Sequence, residues 1–226
     1  MGIIVNSLSV LIGGLCGARF KDGISRKLKD SLPVVFGLCS IVMGVTKVIL
    51  MDNLTVVVLS IITGYIIGEM LRLGALINAL CSKLAKRFNL KSKVGMELLT
   101  VGFVTFCFSG TGFLGAFLEG LTGDSTILLS KSILDFFTAI IFASIAGYAI
   151  GFISVFQIII LTLIKVLSLT IEPALQGVVM SNFVAVGGVF TIAIGFKMMK
   201  LIDLDIANFL PAMLLVIIIS NVLLII

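Results

Sequence analysis

Two residues stand out chemically in an otherwise lipid-like sequence: Lys131 and Asp135, four positions apart in Ser125-Thr-Ile-Leu-Leu-Ser-Lys131-Ser-Ile-Leu-Asp135. On a helix, that spacing puts an ammonium and a carboxylate one turn apart on the same face. Charge at membrane depth is rare and marks a candidate ion or substrate site. Asp124 and Ser125 offer an N-cap, so at a rise of about 1.5 Å per residue Asp135 falls roughly 16 Å into the helix, near mid-membrane. An isolated carboxylate there needs a neutralising partner, and Lys131 is the nearest in sequence. Two readings are open: a neutralised pair that fixes helix register, or a coupling-ion site in which Asp135 is the ligand and Lys131 the internal counter-charge.

A second polar cluster, Ser109-Gly-Thr111-Gly112, interrupts an apolar run. Two glycines and two hydroxyls in four residues can free backbone carbonyls, tolerated at membrane depth only inside protein or beside a watery cavity. Ser109 and Thr111 are therefore candidate ion or substrate ligands, a glycine-rich packing helix being the alternative. Asn6 in the first span and Asn182 at the start of the seventh could line the same path, although single amides also serve as interhelical glue. Glu119 and Asp124 are expected at the outer rim. Lys165 is expected to snorkel, and Glu172-Pro173 reads as a helix terminus. Pro211 fits the first turn of the last helix or a kink in it.

The elements that must position these residues are membrane helices. Of the 226 residues 60% are hydrophobic and 12% charged, with a mean hydropathy of +1.31, far outside the range of soluble domains. Continuous apolar runs of about 20 residues indicate helices and not barrel strands, which alternate apolar and polar positions. The expected fold is all-α, a single polytopic bundle over 1–226. Eight spans are read at 3–19, 32–50, 54–71, 96–118, 126–152, 154–170, 181–198 and 206–226, the fourth broken. Residues 72–95 form the one sizeable extramembrane piece, with apolar residues opposite Lys83, Lys86 and Arg87, as in a basic amphipathic helix on the cytoplasmic interface.

Most of the 16 basic residues follow the first, third and seventh spans, which by the positive-inside rule makes that face cytoplasmic and puts both termini outside. The net charge of +5 then reports topology and contact with membrane lipids; no nucleic-acid partner is expected. The amino-terminal segment lacks a basic n-region and cleavage site and reads as a retained span. Four cysteines lie in or beside apolar runs without C-x-x-C spacing, and histidine is absent, so disulfides, metal sites and imidazole chemistry are not expected.

Internal symmetry is visible. The stretch Val35-Phe-Gly37-Leu-Cys-Ser40-Ile-Val-Met-Gly44-Val aligns without gaps with Val186-Gly-Gly188-Val-Phe-Thr191-Ile-Ala-Ile-Gly195-Phe. These are the second and seventh spans, which cross in opposite senses, as expected of inverted repeats in transporters. A competing match pairs Gly64-Tyr-Ile-Ile-Gly68 with Gly147-Tyr-Ala-Ile-Gly151 in the same sense.

Gly37-Leu-Cys39, Gly120-Leu-Thr-Gly-Asp124, Lys131-Ser-x-x-Asp135, Ala185-Val-Gly-Gly-Val189 and Asn208-x-Leu-Pro-Ala212 together resemble the YqgA/YdfK family of bacterial inner-membrane proteins, often labelled as transporters. The similarity runs over nearly the whole chain, Gly-Leu-Thr-Gly-Asp being its most specific element. It implies a bacterial plasma-membrane location and supplies no substrate. One departure matters: after Cys107 the family tends to carry a Gly-Pro-Met run, whereas Ser109-Gly110-Thr111 stands here, so no proline imposes the break.

Three function classes follow. A secondary transporter of an ion or small solute is favoured by the repeat, the Lys131/Asp135 pair and the lack of a nucleotide-binding motif. A homo-oligomeric channel lined by Ser109–Gly112 is the runner-up, and a membrane scaffold or partner subunit the third. An intramembrane enzyme is not expected, since no Ser/His pair, paired catalytic carboxylates or metal-ligand set appears, and no cofactor is implied.

Overall fold

A computed structural model describes residues 1–23, 25–90, 92–171 and 177–225. Lys91, Glu172 and Pro173 lie outside the described residues. Every α-helix and 3₁₀ turn assigned there belongs to an all-helical bundle, and no strand occurs among the described residues. The helices are α1 (Gly2–Arg19), α2 (Arg26–Val48), α3 (Leu54–Met70), α4 (Leu73–Arg87), α5 (Lys93–Phe108), α6 (Gly110–Leu121), α7 (Thr126–Ala146), α8 (Ala149–Ile171), α9 (Val178–Met198) and α10 (Leu210–Ile225).

Six described stretches are long and apolar enough to cross a membrane: α1, α2, the broken pair α5–α6, α7, α8 and α9. A bent pair, α3 with α4, turns through 56° at Arg72, which adopts the left-handed conformation (φ 52°), and Ile206–Val222 is a shorter apolar helix. Among the described residues each of the eight expected spans thus falls mainly on helix, six meeting the length of a full crossing unaided. The surface is apolar: Leu38, Val42, Ile62, Ile133, Ile159 and Leu163 are each more than 45% exposed, whereas Lys131, Asp135 and Glu119 are buried. That inversion suits lipid as the surrounding solvent.

Helix ends follow local chemistry. Ser25, Asn53, Ser92 and Ser109 each accept a backbone N–H in the first turn of α2, α3, α5 and α6. The expected helix over 126–152 instead ends at Ala146, because Gly147 (φ +73°) turns the chain into α8. Pro211 sits in the first turn of α10, where no helical hydrogen bond is lost. Helix α4 buries Gly74, Ile77, Cys81, Leu84 and Ala85 and turns Lys83, Lys86 and Arg87 outward.

Glycine contacts set how closely the helices approach. A Cβ on Gly37 would stand 2.7 Å from the Gly195 carbonyl oxygen and one on Gly195 would stand 2.6 Å from that of Gly37; Gly44 and Gly188 repeat the relation at 2.6 and 2.7 Å. Helices α2 and α9 are therefore antiparallel, and the contact is reciprocal at both levels. The competing match has no such equivalence. Gly64 and Gly68 pack within α3 against Ala212 and Asn208, while Gly147 forms a turn and Gly151 meets Gly14.

Candidate functional site

Helix α7 carries Lys131 and Asp135 on its inward face, each 2% exposed. Lys131 Nζ donates to Asp135 Oδ2 across the one-turn spacing, as the sequence predicted. Two amides share that oxygen: Asn6 Nδ2 donates to it at 2.8 Å and Gln157 Nε2 at 3.4 Å, while Gln157 Nε2 also donates to Asn6 Oδ1 at 2.7 Å. The network joins α1, α7 and α8. Small residues make the approach feasible, since a Cβ on Gly17 would lie 2.0 Å from the Ile140 carbonyl oxygen and one on Gly14 would lie 2.3 Å from Gly151 Cα.

The break between α5 and α6 supplies the opposite wall. Ser109 is extended (ψ 145°), and its Oγ accepts the Gly112 N–H at 3.2 Å. Serine capping thus does here what a proline would otherwise impose. Gly110 lies backbone to backbone against Gly187, where a Cβ would come within 2.1 Å of the Gly187 oxygen. Stopping α5 at Phe108 leaves its last carbonyls without helical partners, and Lys131 Nζ donates weakly to one of them, Thr105 O, at 3.5 Å. The ammonium therefore lies between a carboxylate and the negative end of a half-helix.

Beside the pair lies a cavity of about 20 Å³, room for one water-sized occupant. Its polar lining is Ser40, Thr105, Ser109, Thr111, Lys131, Asp135 and Thr191, with Met43, Leu134 and Ile194 as the apolar part. Thr105 Oγ1 and Gln157 Oε1 are buried without a hydrogen-bond partner. Such a site can hold a small ion or a proton among hydroxyls; among the described residues no group of three His, Cys, Asp or Glu is placed to hold a metal ion.

The remaining candidates fall elsewhere. Asn182 is fully buried but belongs to a different contact: its Oδ1 accepts the Asp52 and Asn53 N–H groups at 3.2 and 2.9 Å, and its Nδ2 donates to Ser220 at 3.3 Å. It ties α9 to the start of α3 and to α10. Glu119, expected at the outer rim, is buried, 4% exposed. Its carboxylate accepts from the Met1 ammonium (2.5 Å), Lys165 Nζ (3.0 Å), the Ile3 N–H (3.1 Å) and Ser125 Oγ (3.1 Å), so Lys165 pairs with it as well as reaching outward. Asp124 is exposed and caps α7 by accepting Thr126 Oγ1 and N–H, which hold its carboxyl below the ordinary aspartate value.

The profile of the family described as "Protein of unknown function (DUF554)" matches residues 1–221. The chain belongs to the DUF554 family. It is 36% identical over 220 residues to "Uncharacterized protein YqgA" of Escherichia coli (strain K12), covering 95% of this chain and 94% of that protein. It is 26% identical over 217 residues to "Uncharacterized membrane protein YdfK" of Bacillus subtilis (strain 168), covering 94% and 92% respectively. No solved structure matches the chain.

Within this DUF554 chain, the residue that sequence reading missed is Gln157. It lies in Phe156-Gln-Ile-Ile-Ile, a lone amide in a strongly apolar run, and that isolation was the available signal. Glu69 and Asn208 form a further pair: Asn208 Nδ2 donates to Glu69 at 2.5 Å and its Oδ1 accepts the Gly74 N–H at 2.9 Å, bracing the α3–α4 bend.

Proposed function

We propose that this protein is a secondary transporter of a small ion or solute in a bacterial plasma membrane, with Lys131 and Asp135 at its binding site. The observation that carries the reading is the buried ion pair held by Asn6 and Gln157, bordering a hydroxyl-lined cavity where α5 breaks into α6. Discontinuous helices whose ends face a mid-membrane cavity are the usual construction of transporter sites. A purely structural pair would have little use for an adjacent cavity and unpartnered polar atoms.

Reciprocal packing supports an inverted repeat. In the gap-free alignment Ser40 corresponds to Thr191 and Met43 to Ile194, and all four line the cavity. A two-fold axis between α2 and α9 would relate one side of the site to the other, the relation that alternating access requires. Basic residues set the orientation: Arg19, Arg72, Lys83, Lys86, Arg87, Lys197 and Lys200 would be cytoplasmic, with Met1, Glu119 and Asp124 at the outer end.

The test is flux in proteoliposomes under sodium, potassium and proton gradients, with a panel of small organic anions. Wild type should carry a saturable flux that Asp135→Asn abolishes. Flux intact in Asp135→Asn removes the pair from the transport cycle.

A further inference from the structure

Two cavities share part of their walls inside the bundle. The first is the site cavity beside Lys131 and Asp135; the second, of about 30 Å³, lies under the α9–α10 connection and is bordered by Lys197, Leu204 and Asp205. Thr105 and Ile194 are the two residues that line both. Leu204 is 39% exposed and Asp205 is exposed, so the second cavity has its mouth at the surface. Lys197 shapes that mouth by donating to Leu204 O at 2.8 Å and to Asp203 at 3.2 Å.

We propose that the Lys131/Asp135 site is reached from the basic end of the bundle through a neck between Thr105 and Ile194, with the second cavity as its vestibule; this deepens, and rests on, the transporter reading above. Three observations support it. Thr105 Oγ1 is buried without a partner in the wall shared by the two cavities, a polar step between surface and site. Helix α5 ends within one turn of Thr105, so the neck can widen at the Ser109 break without unwinding a continuous helix. At the other end, the α2–α3 connection is fastened by Asn182, whose side chain accepts from Asp52 and Asn53. The proposed route therefore opens to the basic end, and Met43, the alignment counterpart of Ile194 in the wall of the site cavity, is the residue that the repeat would move in opening the opposite side.

The experiment needs no substrate. Cys16, Cys39, Cys81 and Cys107 are replaced by serine or alanine, and single thiols are introduced as Thr105→Cys, Ile194→Cys, Lys197→Cys at the mouth, and Val186→Cys in the closed core. Each variant is accepted once it is monodisperse. Silver ion is applied from the basic-end side in inside-out vesicles, and the thiols left for a maleimide after denaturation are counted. A thiol in packed core reacts only when the structure opens, so the neck positions should react at least about tenfold faster than Val186→Cys. They should also react faster from this side than from the other. Rates at Thr105→Cys and Ile194→Cys equal to Val186→Cys, with Lys197→Cys reactive, overturn the route. The thiol rates are measured without a gradient. Fast reaction supports the route even if flux survives in Asp135→Asn, an outcome that overturns the transporter site alone.

Discussion

Breaking the Lys131–Asp135 pair should be far more damaging than deleting it. Both side chains are 2–3% exposed, so neither charge has water to fall back on when its partner is removed. Lys131→Met leaves a buried carboxylate with two amide donors, and the expected loss is about 3–5 kcal/mol. Asp135→Leu leaves a buried ammonium with one weak carbonyl contact and should cost at least as much as the insertion penalty of a lone charge at a helix centre, about 2.5–3.5 kcal/mol. In the double variant no charge remains, and Asn6 and Gln157 keep their mutual 2.7 Å hydrogen bond; the residual loss is that of unpaired amide donors, about 1–3 kcal/mol. The double-mutant cycle should then show about 2–3 kcal/mol or more of favourable coupling. Denaturant titration of the four proteins in one bicelle composition measures it. A double variant as unstable as the sum of the singles would refute the reasoning, because it would mean that the charges do not compensate each other. The same proteins separate scaffold from site: the double variant should recover stability and still carry no flux.

Gly14→Ala should cost a few kcal/mol, since its Cβ would lie 2.3 Å from the Gly151 backbone, whereas Gly23→Ala, with nothing within 4 Å, should be within about 0.5 kcal/mol of wild type in the same titration. Ser109→Ala removes the cap of α6 and should destabilise by about 1 kcal/mol while loosening the break, read as faster amide exchange at Gly112. Asp124 has a folded value below the ordinary one, so its contribution is complete above the ordinary aspartate value and is lost only as pH falls through the lowered one. Thr126→Val removes the side-chain donor responsible and should move the Asp124 titration midpoint upward by NMR.

Local chemistry was legible in the sequence. Hydropathy fixed which segments are helical, because a backbone in lipid must satisfy its own hydrogen bonds and a helix does so within about 20 residues. The i,i+4 spacing of Lys131 and Asp135 forced their contact, and the Ser-Gly-Thr-Gly run marked the break at Ser109, both being effects that span four residues or fewer. Matching glycines on α2 and α9 were visible as well, since close helix approach demands the absence of a side chain at regular intervals.

Only the tertiary structure decided which amides serve the pair. Asn6 reaches Asp135 across 129 positions and Gln157 reaches Asn6 across 151, whereas Asn182, equally apolar in its surroundings, fastens α9 to Asp52 and Asn53 instead. A lone buried amide must find a partner, but the sequence does not say which helix will bring it. Glu119 shows the same limit: its position near a helix end placed it at the rim, and packing of α1 and α8 over it made it a buried carboxylate with four donors. The cavity, too, belongs to the packing alone, since it exists where the side chains of separate helices fail to meet.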